Sequence, residues 1–399
     1  MNILFMTLLN LENLNDRGIY HDFVNELHSK GHNVTVVSAS EKRNGGTTKL
    51  IKSNHIDILK VKINDITKTS FIKKGINTLL IESFYRKAVN QYLDDRSFDL
   101  IIYTTPPITF NNLIKELKIK YNAHTYLLLK DIFPQNAIDL KLFRKNGPIY
   151  RMFRRKEKKL YAISDYIGGM SQANLDFIKK HNAINSETQV IRNAMYEQNY
   201  EVSSEEQQAL MTKLNIDPNK KLFLYGGNLG VPQGIDYIKL VMSRFGEIPD
   251  SQLLIIGSGT HFNVLKTHAD ALQNADIQVV NILPKEEYDK IVSLCDVGLI
   301  FLDNRFTIPN YPSRLTSLLN AGKPIIAATD ASTDLKDDIV EARCGFWNKS
   351  DDVNAFINNA KNIINPDIYK EFSKNAYKLY FEEFRIEKNI NKLLDLVQK

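Results

Sequence analysis

Residues 221–234 read KLFLYGGNLGVPQG, and Ile235 opens a helical pattern directly after them. A short apolar run ends in two glycines, and a tight turn leads into the helix. The unit recurs. SQLLIIGSG (251–259), IQVVNIL (277–283), VGLIFL (297–302) and PIIAAT (324–329) are near-continuous apolar runs separated by helical segments. Such runs are expected of parallel strands buried on both faces.

The first half alternates in the same way. Strands are predicted at 3–9, 33–38, 56–63, 100–104, 125–129, 166–170 and 189–191, and helices at 76–92, 110–119, 148–162 and 172–180. Between the first two strands, Ile19, Phe23 and Leu27 share one helical face, and Gly31 supplies a left-handed stop. A polar stretch, MYEQNYEVSSEEQQ (195–208), reads as a linker, and three helices are expected after Asp351. The fold class is therefore α/β, with two Rossmann-like doubly wound domains facing across a cleft. Residues 1–195, braced by helices within 366–399, form one domain, and residues 196–365 form the other. Ligands of such sheets bind beyond the carboxyl ends of the strands, so the loops there carry the chemistry.

Composition narrows the function. A chain of 399 residues suits two domains, and 43% hydrophobic with 25% charged residues is ordinary for a globular protein. No apolar run is long enough to span a bilayer, and the start, MNILFMTLLN, lacks the features of a secretory signal. A soluble, cytoplasmic protein is expected. Two distant cysteines, Cys295 and Cys344, make neither a disulfide framework nor a metal site. The net charge of +6 divides into +12 over residues 1–195 and −6 over the remainder. Any polyanion or anionic membrane should therefore meet the first half.

Several chemistries lack their motifs. The turn after the first strand, LNLENLNDRG, holds no G-x-G-x-x-G, and NAGKP (320–324) is not a P-loop. There is no Asp-x-Asp, and the eight histidines show no ligand spacing. Neither a metal nor a cofactor is expected.

The loops of the second half are richer. Glycines at 226, 227 and 230 allow close backbone approach to phosphate oxygens, although they equally suit a tight turn without a ligand. Gly257 and Gly259 occupy the same place after the next strand. The segment DNRFTIPNYPSR (303–314) joins a strand to a helix, with Pro312 in its first turn and Ser313 available as a cap. Arg314 at that helix start opposes the helix dipole unless an anion binds there. A diphosphate held by Arg314 and Arg305 resolves the conflict. In the first half, Lys130, Asp131 and Asn136 follow a strand and are candidate substrate handles, or a Lys130–Asp131 pair that only orders a loop. Residues 141–160, KLFRKNGPIYRMFRRKEKKL, hold nine basic residues and one acid beside an apolar stripe of Ile149, Phe153 and Leu160. That pattern fits a helix on an anionic membrane, with a nucleic-acid patch or a solvated face as alternatives. Nucleic acid ranks last, because exposed aromatics are not interleaved with the basic residues.

Taken together, KGHNVTVVS, KDIFPQNAIDL, DYIGGMSQAN, VIRNAM, GGNLGVPQG, LIIGSG, LPKEEYDKIVSLCDVGLIFL and RFTIPNYPSRLTSLLNAGKPIIA resemble the GT-B glycosyltransferases. The resemblance is to the retaining family 4 enzymes of bacterial capsule, exopolysaccharide and O-antigen assembly. It implies an acceptor bound by the first domain, with Arg17, Gly18, Lys130 and Asn136, and a nucleotide-sugar donor, UDP-linked, bound by the second. Donor contacts are expected from Gly227, Asn228, Leu229, Gly230, Gly257, Gly259, Leu283, Pro284, Asn310, Tyr311, Pro312 and Ser313. Two departures stand out. Pro309 and Ser317 occupy the places of the family's two glutamates, and Asn228 and Gln233 those of its Arg and Lys. Diphosphate recognition is then expected to shift to Arg305 and Arg314, which stabilise the leaving group, with Asp131 as a positioning group or base. The acceptor is expected to be a lipid-linked saccharide at the inner face of the membrane. Two rivals share the architecture: a nucleotide-sugar epimerase, and a non-catalytic binding protein at the membrane surface.

Overall fold

Strand β1 (Asn2–Met6) is buried on both faces from Ile3 to Met6, as an unbroken apolar run requires. It lies within a sheet of order β3 (Lys49–Ile51), β4 (Asp57–Ile63), β2 (Asn33–Glu41), β1, β5 (Leu100–Thr104), β6 (His124–Leu129), β7 (Tyr166–Gly169) and β8 (Glu187–Val190). All pairings are parallel except the β3–β4 edge. The helices are α1 (Ile19–Ser29), α2 (Phe71–Tyr92), α3 (Asn111–Tyr121), α4 (Gln135–Asp139), α5 (Pro148–Ile163) and α6 (Gln172–His181). Helix α1 buries Phe23, Val24 and Leu27 on one face, and Gly31 follows its end at φ 83°, the left-handed stop that the sequence predicts. This computed structural model describes residues 1–53, 56–66, 71–198 and 201–398.

The chain divides into two units, Met1–Met195 with Ile386–Lys399, and Tyr196–Arg385. The second unit opens with α7 (Ser204–Lys213), inside the stretch expected to be linker. Ser203 and Glu206 form a capping box there, so a polar run becomes a helix start. Residues 199–200 of that expected linker lie outside the described residues. The sheet that follows has the order β11 (Ile277–Val280), β10 (Ser251–Ser258), β9 (Lys221–Asn228), β12 (Val297–Phe301), β13 (Ile325–Thr329) and β14 (Gly345–Lys349), all parallel. Its helices are α8 (Ile235–Arg244), α9 (Phe262–Leu272), α10 (Lys285–Leu294), α11 (Arg314–Asn320), α12 (Leu335–Glu341), α13 (Val353–Ile363) and α14 (Pro366–Leu379).

One side of this sheet is filled by aromatic rings. Tyr225, Phe301 and Phe356 succeed one another at centroid distances of 5.4 and 5.9 Å, and none is more than 1% exposed. The strand order reverses direction between β9 and β12. Loops leaving these two strands diverge, and the crevice between them is the natural ligand position of an open α/β sheet.

The expected bracing segment 366–399 is divided. Helix α14 stays with the second unit, where Phe372 packs on Phe346 and Ser373 donates to the Gly322 carbonyl at 2.7 Å. Only α15 (Ile386–Val397) joins the first unit, burying Ile390 and Leu393 beside α1. The Asn389 side chain accepts the Arg192 amide at 2.9 Å. Both cysteines are buried in the second unit, and burial pushes each thiol up to about 12. Among the described residues, no helix is long and apolar enough to cross a membrane.

Leu393 has no solvent exposure. Leu393→Ala should therefore destabilise the first unit by about 2–5 kcal/mol, a cost that urea unfolding can measure.

Candidate functional site

At the crevice between β9 and β12, the Arg314 guanidinium lies over the Tyr225 ring, 4.4 Å from its centroid. Tyr225 is fully buried, and its hydroxyl donates to the Asn228 carbonyl at 2.9 Å. The same ring thereby fixes the loop and carries the cation. One guanidinium nitrogen, Nη1, is buried and has no hydrogen-bond acceptor among the described residues. The other, Nη2, stands 3.2 Å from where a Cβ on Gly227 would lie, so a side chain there would crowd it. Gly227 has φ 137°, a conformation that favours glycine.

A buried donor without an acceptor costs roughly 1–3 kcal/mol, more when charged. Burial could relieve a lysine by deprotonating it, but a guanidinium keeps its proton. The unmet demand at Arg314 is for an anion.

Neighbouring groups divide into free and spent. Arg305 is spent: it binds Asp303 through Nε and Nη2, both at 2.7 Å, so its charge is already neutralised. Tyr311 is 3% exposed, donates its hydroxyl to Asp338 and stacks near Phe384, which makes it a packing residue rather than a donor contact. Ser313 occupies the N-cap of α11 without making the capping bond expected of it. That helix has only seven residues, so the guanidinium, not the dipole, supplies most of the positive field. Asn310, two residues before the half-buried Pro312, keeps a buried Nδ2 with no acceptor, a second open donor in the same loop.

The glycines have distinct causes. A Cβ on Gly257 would meet the Gly227 carbonyl oxygen at 1.9 Å, and one on Gly259 would meet the Leu229 carbonyl oxygen at 2.3 Å. Internal packing accounts for both, as the ligand-free reading of these turns allows. Asn228 and Gln233 bond one another at 2.9 Å, and Gln233 also accepts the Gly230 amide at 3.2 Å. Two neutral amides thus clamp the loop where the resembling family carries charges. Leu229 is wholly buried and anchors the loop in the core.

In the first unit the strand-end residues sort into separate pairs. Lys130 Nζ donates to Asn193 at 2.8 Å, while the two oxygens of the Asp131 carboxylate accept from Asn136 Nδ2 at 2.7 and 2.9 Å. Thr105 Oγ1 accepts the amides of Lys130 and Asp131, which fixes the loop. Asn136 retains a buried Oδ1 without a donor, an open acceptor for a hydroxyl. Burial pulls the Lys130 amine down to about 7. Arg17 and the Gly18 amide converge on the buried Asp22 instead, at 3.3 and 3.5 Å. Among the described residues, no group of three or more His, Cys, Asp or Glu side chains is placed to hold a metal.

Residues 206–379 match the family described as glycosyl transferases group 1. WbjE of Pseudomonas aeruginosa, named a probable glycosyltransferase, is 25% identical over 254 residues, 63% of this chain and 62% of its own length. The chain thus matches less than two thirds of that relative. Over 100% of the chain, the fold is similar to sucrose-phosphate synthase of Thermosynechococcus elongatus, with a TM-score of 0.75, 15% identity and 98% of that chain covered. It is also similar to HepE of Anabaena in complex with UDP, at a TM-score of 0.68, 13% identity and 100% of that chain. At such identities the likeness is one of fold. It is the GT-B architecture with two parallel-sheet domains that the sequence predicts.

Within the matched region, Tyr288 is a site residue that sequence reasoning misses. Gly226 leaves room for its hydroxyl, which a Cβ there would meet at 2.1 Å. Burial raises the phenol's pKa, against the pull of the Arg314 charge, so it remains a proton donor beside that cation. Leu283 and Pro284, expected near the donor, lie at the start of α10. Pro284 caps α10, whose first turns bring Tyr288 to Gly226. Helix α5 brings a correction. Phe153 and Leu160 are buried, with Phe153 packed on Phe133 at 5.0 Å, so most of the apolar stripe fills the unit's own core. Of that stripe only Ile149 remains exposed, joined by Leu142 just before the helix.

Two outcomes follow from these contacts. Gly257→Ala forces β9 and β10 apart and should cost about 1–3 kcal/mol or more in urea unfolding. Lys130 has a folded pKa of about 7 against about 10.4 unfolded, so the unfolded chain holds the extra proton between those values. The parent should therefore gain stability relative to Lys130→Met as pH rises from 7 to 10, with the full penalty below pH 7. A flat difference across that range would mean that the amine stays charged in the fold.

Proposed function

We propose that the protein is a glycosyltransferase of the metal-independent, retaining family 4 type, moving a sugar from a nucleoside diphosphate, UDP in first place, to a saccharide acceptor. The observation that carries this reading is Arg314, a half-buried guanidinium with one buried nitrogen lacking an acceptor, set beside Gly227 at the strand-order reversal. A diphosphate oxygen supplies what that nitrogen lacks.

In the reaction, the bond between the anomeric carbon and the diphosphate breaks. Negative charge grows on the leaving oxygen as the sugar becomes oxocarbenium-like. Arg314 stabilises that charge, and the protonated Tyr288 is the adjacent donor. Arg305, already paired with Asp303, contributes through the loop it orders. The departing phosphate takes the proton of the attacking hydroxyl. On the acceptor side, Asn136 Oδ1 receives a sugar hydroxyl, and Asp131, fixed by Asn136, positions it. Neither a metal nor a cofactor is required.

WbjE, named a probable glycosyltransferase, supports the transferase reading, and a role in surface polysaccharide assembly with a lipid-linked acceptor extends it from the resemblance of the sequence. The nine basic residues of 141–160 support a location against the anionic inner face of the membrane, by charge more than by apolar contact.

Calorimetric titration with UDP, GDP and NADH tests the donor site. UDP should bind selectively, and Arg314→Ala should weaken it by at least about tenfold, the scale of a lost charged hydrogen bond. Equal binding by the variant, or no nucleotide binding by the parent, would remove the basis of the assignment.

A further inference from the structure

Four cations of α5, Arg151, Arg155, Lys156 and Lys159, line one groove of about 480 Å³ together with Asn111 and Asn112 at the start of α3. None of the four has a carboxylate partner among the described residues. Their neighbours differ. Arg154, on the other side of the helix, pairs with Glu157 at 2.7 Å, and Glu157 also accepts from Tyr161. Glu82 of α2, whose carboxylate caps the start of α3, is taken up by the amides of Asn112 and Leu113 at 2.6 and 2.7 Å. Arg151, Arg155 and Lys159 succeed one another at four-residue intervals, where like charges repel along a helix. That arrangement is unfavourable until an anion enters the groove.

A second observation is independent of charge. Asn111 is 4% exposed, its Nδ2 donates to Asn112, and its buried Oδ1 has no donor. The groove therefore combines unpaired cations with one open acceptor. Its position is also informative. Helix α3 follows β5 and α5 leads into β7, so both helices start at the carboxyl edge of the sheet, the edge that bears Lys130 and Asp131.

We propose that this groove binds a phosphate ester, with the cations on its oxygens and Asn111 Oδ1 on a neighbouring hydroxyl or amide N–H. The assignment rests on the acceptor-side reading of the first unit and gives the acceptor a phosphate-bearing group.

The test uses the full-length Arg314→Ala protein, which closes the donor-side anion site. Inorganic pyrophosphate is titrated by calorimetry, and vesicles of phosphatidylcholine with and without phosphatidylglycerol are tested by cosedimentation. Arg155→Gln with Lys159→Gln should weaken pyrophosphate binding about tenfold or more, whereas Lys141→Gln with Lys145→Gln, of equal charge outside the groove, should change it less than twofold. Glycerol 1-phosphate should bind more tightly than inorganic phosphate, and Asn111→Ala should abolish that preference. Binding to phosphatidylglycerol vesicles alone, lost with the groove pair, would assign the phosphate to a lipid headgroup. Equal weakening by both glutamine pairs, or no binding of either probe, would overturn the site. UDP titration of the groove variants with Arg314 intact should match the parent, so failure here is separable from failure of the donor assignment.

Discussion

A guanidinium stacked on a buried tyrosine, with one nitrogen out of reach of both water and protein acceptors, constrains everything around it in the second unit. The Tyr225 ring must stay in the core for Arg314 to rest on it, and it does so among Phe301 and the aromatic layer beneath. The carboxyl end of β9 must approach without side chains, which leaves Gly226 and Gly227 facing Tyr288 and Arg314. Asn228 and Gln233 then close the loop as two neutral amides bonded to one another. These contacts depend on one another because they meet where the strand order reverses, the one place where adjacent parallel strands send their loops apart.

Much of this was legible in the sequence, for identifiable reasons. Parallel strands buried on both faces leave unbroken apolar runs, so β9, β10, β12 and β13 are visible as text. Arg314 is visible because a cation at a helix start contradicts local electrostatics. Other features depend on partners that sequence spacing does not encode. Arg305 looks as available as Arg314 until Asp303 is seen to hold it. Tyr288 sits in KEEYDK like any helical tyrosine, and only its approach to Gly226 marks it. The stripe of Ile149, Phe153 and Leu160 fits a membrane face and a domain core equally well, and the aromatic cluster with Phe133 decides for the core. The boundary at Ile386 follows from which sheet can bury Ile390 and Leu393, a matter of packing alone.

The two halves of the chain treat buried positive charge differently. Lys130 lies where burial disfavours the ammonium, and a lysine can answer by releasing its proton. Its partner is the neutral Asn193 side chain, which accepts from an amine in either state. Arg314 has no such exit, because guanidinium remains protonated at any pH a folded protein survives. The same physical stress therefore yields a titratable donor in one unit and a permanent demand for an anion in the other.

That difference bears on how charge is spread over the chain. The first half carries +12, yet Lys130, half-buried at a strand end, can neutralise itself, and a dense part of the remaining charge lies along α5 at the surface. Surface charge of this kind attracts over roughly a Debye length and weakens with salt. The second half, at −6, half-buries Arg314 and encloses one of its guanidinium nitrogens, where screening is weak. Attraction at long range and discrimination at short range need opposite placements of positive charge, and the two units of this chain show one placement each.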